Sequence, residues 1–548
     1  MHGLPDRSTG PTDTIHRTFP NERSEGGRWM AEPASIEASG TPVPASTPHD
    51  GPNATPPEAG FRRRSALKNA LHLLYSQGMT WALAMVLTVV QPRFLGPEAQ
   101  GQLRLATSIW GIGIVAINLG TNNLLTLEIA KRGVRGADML STVILLRLVS
   151  FVVTTVGVGA YLAAIGASRQ TVTVFALVGL STLPNAVAAV ARASLLGFEH
   201  MSYVGIADVV TKVASTALAL GVLLAGGGSR EVSATLVVST ALNAALMWRY
   251  LRRFPGTSIR LTLDGARAVL KMSVGFLVGE AVLILYLQVD TVVLSLLVSE
   301  RELGWYGTSD TLFASLLFVP TILLSSLLPV IGRKHVEDPE GLRRLVDRAF
   351  SSLVLVGVPM GLGTVVIAKP LCLLVYGERF RQTGDVLAIM GVVLIFAFCT
   401  ILFGQVAIAT GRQRFWNSLM AVAIATSIPL DLVFVPWMER AKGNGAMGGG
   451  LSYLVTEGMM LVAGAWVIAP QVVSRPSLVR IFKIMLAGAL MFAAAWPWRD
   501  RFLAVPVLIG AVVYSAVVLA LRVVTDDERQ RIGAMVSRVV GRRLRRAG

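Results

Sequence analysis

The chain is poor in charge, nearly free of cysteine, and has no nucleotide-binding loop. Asp, Glu, Lys and Arg make up 15% of its 548 residues, against about 25% in soluble domains. A mostly water-facing surface is therefore excluded. The two cysteines, Cys372 and Cys399, both fall inside apolar runs. They read as small apolar residues, and supply neither a disulfide framework nor a metal site. No glycine-rich stretch ends in Gly-Lys-Ser/Thr, so no ATP hydrolysis and no cofactor is expected. The glycine pairs in "GIGIVAI" and "GVGAYLAAIG" lie in apolar runs and suit close helix packing.

Long apolar runs are abundant. They recur from residue 69 to residue 523, each about 18–25 residues long, the length that crosses a bilayer core. Fourteen can be placed, beginning with 69–91 and 105–129, resuming with 268–296 after six spans, and ending with 503–523. Helices are expected throughout, because an open sheet edge in lipid leaves backbone groups unpaired. The class is an all-α polytopic membrane protein. Its net charge of +17 does not point to nucleic acid, since Lys and Arg cluster between spans, where topology demands them.

Those basic connectors orient the chain. "KRGVRGAD", "RYLRRFPGTSIRLTLDGARAVLK" and "GRKHVEDPEGLRRLVDR" all face inward if the N-terminus is inside, so both termini are expected to be cytoplasmic. Opposite connectors are short and end in Trp305, Tyr306, Tyr376, Trp437, Trp496 and Trp498, as an interfacial aromatic belt would. Residues 1–64 hold ten prolines in their first 60 positions and no apolar run, a composition that reads as a disordered tail. Met30 is a second candidate translation start. The basic tail 524–548 is expected at anionic headgroups.

One connector occurs twice. "QPRFLGPEAQGQLR" at 91–104 and "LVSERELGWYGTSD" at 297–310 align when Gly101 is set on Gly304. Span 1 then falls on span 7 and span 2 on span 8. An even number of intervening spans gives a parallel repeat about an axis along the membrane normal, a transporter architecture. The expected organisation is a first six-helix lobe at 65–253, a second at 254–470, and two added spans at 471–523.

The runs "RFLGPEAQGQLRLATSIWGIGIVAINLG", "LEIAKR", "LGWYGTSDTLFASLLFVP", "PLCLLVYGERFRQTGDVLAIM" and "AIATGRQ" resemble the Wzx-type polysaccharide flippases, over most of residues 69–470. That resemblance implies the multidrug/oligosaccharidyl-lipid/polysaccharide exporter superfamily, with two lobes facing a central cavity. It implies translocation of undecaprenyl-diphosphate-linked oligosaccharide to the outer leaflet of the bacterial plasma membrane. A polysaccharide polymerase and glycosyltransferases are the implied partners. The alternatives are a lipid II flippase, a multidrug extruder of the same superfamily, and a membrane-embedded polymerase or ligase. The last would need a long external loop with catalytic residues, and the external connectors are short and without histidine.

Ionisable residues inside spans are the site candidates. Arg147 sits about 12 Å along span 3. Asp208 and Lys212 are one turn apart on span 5 and are expected to pair. Phosphate is best held by Arg or Lys, so Arg147 and Lys212 are the expected diphosphate ligands, or else neutralised structural charges. Asn118, Asn122 and Asn123 share a helix face, suited either to sugar hydroxyls or to helix–helix hydrogen bonds, with Glu128 near the inner boundary. Glu280 lies about 18 Å into span 7, with Gln288 and Asp290 further along. Glu280 and Asp290 are the candidates for ion coupling, with Glu457 and Gln405 behind them.

Overall fold

The computed structural model describes residues 58–133, 138–253, 263–325 and 327–523, and the side chains from Gly78 onward. Of the expected tail at 1–64, residues 1–57 lie outside the described residues and 58–64 are helical instead. The tail at 524–548 and the basic connectors at 134–137 and 254–262 also lie outside them. The described residues from Gly60 onward form one compact unit.

The described residues are helical, without strands. The first half comprises α1 (Glu58–Asn118), α2 (Thr121–Arg132), α3 (Leu140–Ala164), α4 (Arg169–Gly197), α5 (Met201–Leu224) and α6 (Ser229–Leu251). The second comprises α7 (Leu263–Leu297), α8 (Glu300–Leu316), α9 (Phe318–Ser325), α10 (Leu328–Glu337), α11 (Pro339–Tyr376), α12 (Arg381–Ala409), α13 (Gln413–Lys442) and α14 (Ala446–Ala463). α15 (Arg475–Ala495) and α16 (Ala504–Ala520) follow, and pack on α11. Within each lobe the helices pack on one another, α4 against α6 and α11 against α12 most extensively.

Twelve helical stretches are long and apolar enough to span a membrane. The first, Gly78–Arg132, contains 55 residues, about 80 Å of helix and twice what a bilayer needs. It kinks at Gly96, whose φ of 79° breaks the helix between Pro92 and Pro97. Counting its two arms and the shorter apolar Ala504–Ala520, the fourteen expected spans are all found. Their edges differ: α1 begins at Glu58, eleven residues before the expected start, and the second span is split at Leu119–Gly120.

Local chemistry sets several boundaries. At α8, Ser299 and Glu302 form a capping box, each side chain bonded to the other's backbone N–H. At α11, Asp338 accepts from Gly341 N at 2.7 Å and from Lys334 at 2.9 Å. The Lys334 hydrogen bond, with the Gly341 N–H, holds the Asp338 carboxyl below the usual carboxylate range. That cap is present at neutral pH and lost as pH falls through the lowered pKa.

The aromatic belt is only half realised. Trp437, Trp496 and Trp498 are exposed, whereas Trp305, Tyr306 and Tyr376 are buried. Trp305 Nε1 donates to the Arg379 carbonyl at 3.0 Å, and the Tyr376 hydroxyl to the Thr88 carbonyl at 3.0 Å. These rings tie the repeated connector to its neighbours, a contact that residue type alone does not reveal. Cys372 and Cys399 are buried and unbridged.

The two connector copies meet. A Cβ on Gly101 would lie 1.8 Å from the Glu300 carbonyl oxygen, and one on Gly304 would lie 1.9 Å from that of Pro97. The offset relating Gly101 to Gly304 also relates Pro97 to Glu300, so each glycine receives the other copy's backbone at a pseudo-two-fold axis. Small residues allow such close helix contact in membranes. Gln102 Nε2 donates to Glu300 Oε2 at 2.8 Å and Thr171 Oγ1 to Glu300 Oε1 at 3.0 Å, closing the two lobes at this end.

Candidate functional site

Three groups of polar side chains occupy the interior. The first is a cavity of about 370 Å³ among α1, α4, α5 and α6, lined by Thr80, Asn185, Arg192, Asp208, Lys212 and Asn243 with further serines and threonines. Asp208 does not pair with Lys212, as the one-turn spacing suggested. It is held by both terminal guanidinium nitrogens of Arg192 from α4, one at 2.9 Å. A bidentate guanidinium outcompetes an ammonium whose stem leaves the same helix. Lys212 is left with no ion pair or hydrogen bond among the described residues, and lines the cavity. Arg192 is a site residue that its place in the sequence does not mark. It falls at the expected end of span 4, where a basic residue reads as a topology signal, but α4 continues to Gly197 and carries it inside.

The second group surrounds Arg147, which is 2% exposed. Its Nη2 donates to Thr121 Oγ1 and Asn122 Oδ1, both at 2.7 Å, its Nε to Thr121 Oγ1 at 3.2 Å, and its Nη1 to the Ala186 carbonyl at 2.7 Å. Four of its five N–H groups are thereby used. Arg147 clamps the break between α1 and α2, where Leu119 and Gly120 both have positive φ. The space beside it is about 10 Å³, too small for a phosphate. Arg147 and Lys212 thus do not share a cavity in this state. Asn122 serves Arg147, Asn118 is buried with its side-chain oxygen unpartnered, and Glu128 pairs with Arg132 at 3.1 Å. Glu280 comes from the other lobe and interacts electrostatically with Arg147, with its Oε2 buried and unpartnered.

The third group lies in the second lobe. Asp290 on α7 and Asp431 on α13 are electrostatic neighbours. Asp431 is 0% exposed, and neither of its oxygens has a hydrogen-bond partner, nor has Asp290 Oδ1. The nearby hydroxyls of Ser427 and Ser452 donate instead to the carbonyls of Ile424 and Ser427. Two carboxylates in so dry a place cannot both stay ionised without a proton or a cation. Asp290 was legible in the sequence; Asp431, in "SIPLDLVF", needed only the same rule that singled out Glu280. Deeper in this lobe, Glu457 accepts from Tyr286 at 2.6 Å and Thr400 at 2.9 Å. It borders a cavity of about 310 Å³ with Gln405, Gln413, Trp416, Asn417 and Tyr453.

Residues 66–335 match the family model described as polysaccharide biosynthesis protein. A probable lipid II flippase, MurJ, of Haemophilus influenzae is 27% identical over 281 residues, covering 46% of this chain and 54% of that protein. The chain therefore spans about half the length of that relative. Among solved structures, a lipid II flippase MurJ in an inward closed conformation superposes with a TM-score of 0.65 at 13% identity, over 83% of this chain and 99% of that one. An inward-facing multidrug resistance MATE family transporter of the MOP superfamily gives 0.57 at 15% identity, over 72% and 96%.

Proposed function

We propose that this chain is a member of the multidrug/oligosaccharidyl-lipid/polysaccharide exporter superfamily and a flippase for a polyprenyl-diphosphate-linked glycan, a reading supported by its fold and by the family match over residues 66–335. The carrier is undecaprenyl diphosphate, and the passage runs from the inner to the outer leaflet of a bacterial plasma membrane, with both termini cytoplasmic. The observation that carries this reading is the Lys212–Arg192 cavity: two cations, one of them held by Asp208, leave one net positive charge among neutral polar groups, on helices inside the matched segment. A diphosphate needs such donors when it leaves water, whereas an organic cation would be repelled by Lys212.

Other features fit the rest of the substrate. Carboxamides and aromatic faces in the second-lobe cavity suit a glycan. An apolar groove of about 390 Å³ between α11, α15 and α16, lined by Pro359, Met360, Gly363, Met491, Pro506 and Gly510, suits a stretch of isoprenoid chain. Asp290 with Asp431 is the seat of ion coupling. Glu280, set against Arg147, links charge across the lobes. Lipid II shares the carrier and the diphosphate, and the relatives named as lipid II flippases keep it as the second reading. In a cell, glycosyltransferases would supply the glycan and a polymerase would consume it.

The test is flipping in proteoliposomes, with an undecaprenyl-diphosphate oligosaccharide and lipid II offered side by side. Lys212→Ala should lower the rate at least tenfold with protein yield unchanged, and Lys212→Arg should retain most of it. Flipping of neither lipid by the wild-type protein sinks the reading, and preference for lipid II replaces the oligosaccharide.

A further inference from the structure

The second-lobe acid cluster contains a cation that belongs to the first lobe. Arg104 lies on the second arm of α1, less than one turn beyond Gly101. Its Nη2 is 2.6 Å from Asp310 Oδ2 on α8 and 3.3 Å from Thr291 Oγ1 on α7. Its stem passes over Gly307, where a Cβ would come within 2.6 Å of Arg104 Cγ. Its Nε is buried and has no partner. Asp310 is an electrostatic neighbour of Asp290, and Asp290 of Asp431. Tyr306 interacts with all three carboxylates and with Arg104.

The charge count is three carboxylates and one guanidinium. Asp431 is wholly buried with no cationic partner, and the adjacent Ser452 hydroxyl is the one polar side chain that reaches toward it among the described residues, so the cluster wants more positive charge than it has. The one cation present arrives on a helix whose position depends on the lobe contact. Gly101 against Glu300, Gly304 against Pro97 and Gln102 against Glu300 hold that contact closed. If the lobes part there, the rigid helix that carries Gly101 withdraws Arg104 from Asp310. The acid cluster then loses the one cation that the described residues place against it from across the interface.

We propose that Arg104 is a tethered counter-ion, exchanged for one mobile positive charge, a proton or an alkali cation, when the lobes separate at the repeated connector. Closure places a cation on Asp310 and loading places one on its neighbours Asp290 and Asp431, so the two charges repel within one acid cluster and a cation gradient biases the lobe position. This rests on Asp290 and Asp431 being the coupling pair, and it names the group through which they act. The other titratable groups facing the cluster are Tyr286, Tyr306 and Tyr453, with Glu457 interacting through Tyr286 and Tyr453.

The experiment needs no transported lipid, so its failure is separate from that of the flippase reading. Glu98 and Arg301, exposed on the two copies and 3.5 Å apart, are replaced by cysteine and spin-labelled in the full chain in nanodiscs; the native cysteines are buried. Sodium is titrated at fixed pH, and pH is titrated without sodium. One of the two should lengthen the inter-label distance in the wild-type background, and which one does so identifies the ion. Arg104→Gln should bind that ion at least tenfold more tightly, with a distance that no longer responds to it, while Arg104→Lys keeps the response. Asp310→Asn, which removes the partner and leaves Arg104 in place, should blunt the response as well. Gln102→Ala should shift the resting distance but keep the ion dependence, since it changes no charge. A distance insensitive to both titrations overturns the proposal, as does an Arg104→Gln response equal to that of the wild type.

Discussion

Asp208 occupies the guanidinium face of Arg192 in a geometry that a phosphate could take over, since both offer two oxygens to one planar fork. In the empty cavity this leaves a net single positive charge, on Lys212, and Asp208 acts as an internal competitor for an anionic ligand. Removing that competitor should strengthen binding and slow release. Asp208→Asn should bind a polyprenyl diphosphate at least tenfold more tightly, measured by equilibrium titration in detergent, while turnover in proteoliposomes falls. Weaker binding would mean that Asp208 is needed to orient Arg192 and does not compete. The sequence offered Asp208 and Lys212 on one face of one helix, and on that evidence their pairing was reasonable. The competing partner lies on another helix, and no spacing rule within one element reports it.

Arg147 belongs to the same scale but to a different task. It is buried, bonded to three acceptors, and set against Glu280, so in this state it fastens the α1–α2 break. Arg147→Met leaves Thr121, Asn122 and Ala186 short of a donor and should cost about 2 kcal/mol, read as a lowered thermal midpoint in detergent. If Arg147 were a diphosphate ligand alone, the same change would abolish binding and leave the midpoint where it was.

At the scale of the helix, apolar length told nearly everything and breaks told little. Every expected span is found because a bilayer permits few backbone solutions. The helix start at Glu58 was hidden by a proline- and glycine-rich context that suggests disorder. The split at Leu119–Gly120 was hidden for another reason: Gly120 is one glycine among many in apolar runs. What marks it is tertiary, since a Cβ there would lie 2.4 Å from Leu277 N on α7. Such a break within a membrane-spanning stretch exposes backbone groups that must find partners, and Thr121 Oγ1 donating to the Asn118 carbonyl at 2.6 Å is one. Arg147, bonded to the first two side chains after the break, holds the other side. The sequence marked Arg147, Asn118 and Asn122 as important, but not that they form one joint.

For the whole molecule, the repeat was the most informative feature of the sequence, and its use lies in the closed contact between lobes. Pseudo-symmetry makes a quantitative demand here. Gly101 and Gly304 come from different lobes and different sequence contexts, yet each meets the other copy's backbone at nearly the same separation, 1.8 and 1.9 Å from a built Cβ. A side chain at either position must therefore push the same two helices apart by a similar amount. Gly101→Val and Gly304→Val should both open the connector end, and to a similar degree. The readout is thiol labelling of a cysteine at Gln102, which is buried at this contact, in a background with Cys372 and Cys399 replaced by alanine. Both valine variants should speed labelling at least tenfold, with spans and expression intact. If only one does so, the two connectors are not equivalent and the contact is an ordinary helix crossing. If neither does, the closed end is not held by these glycines, and the duplicated connector has some other use.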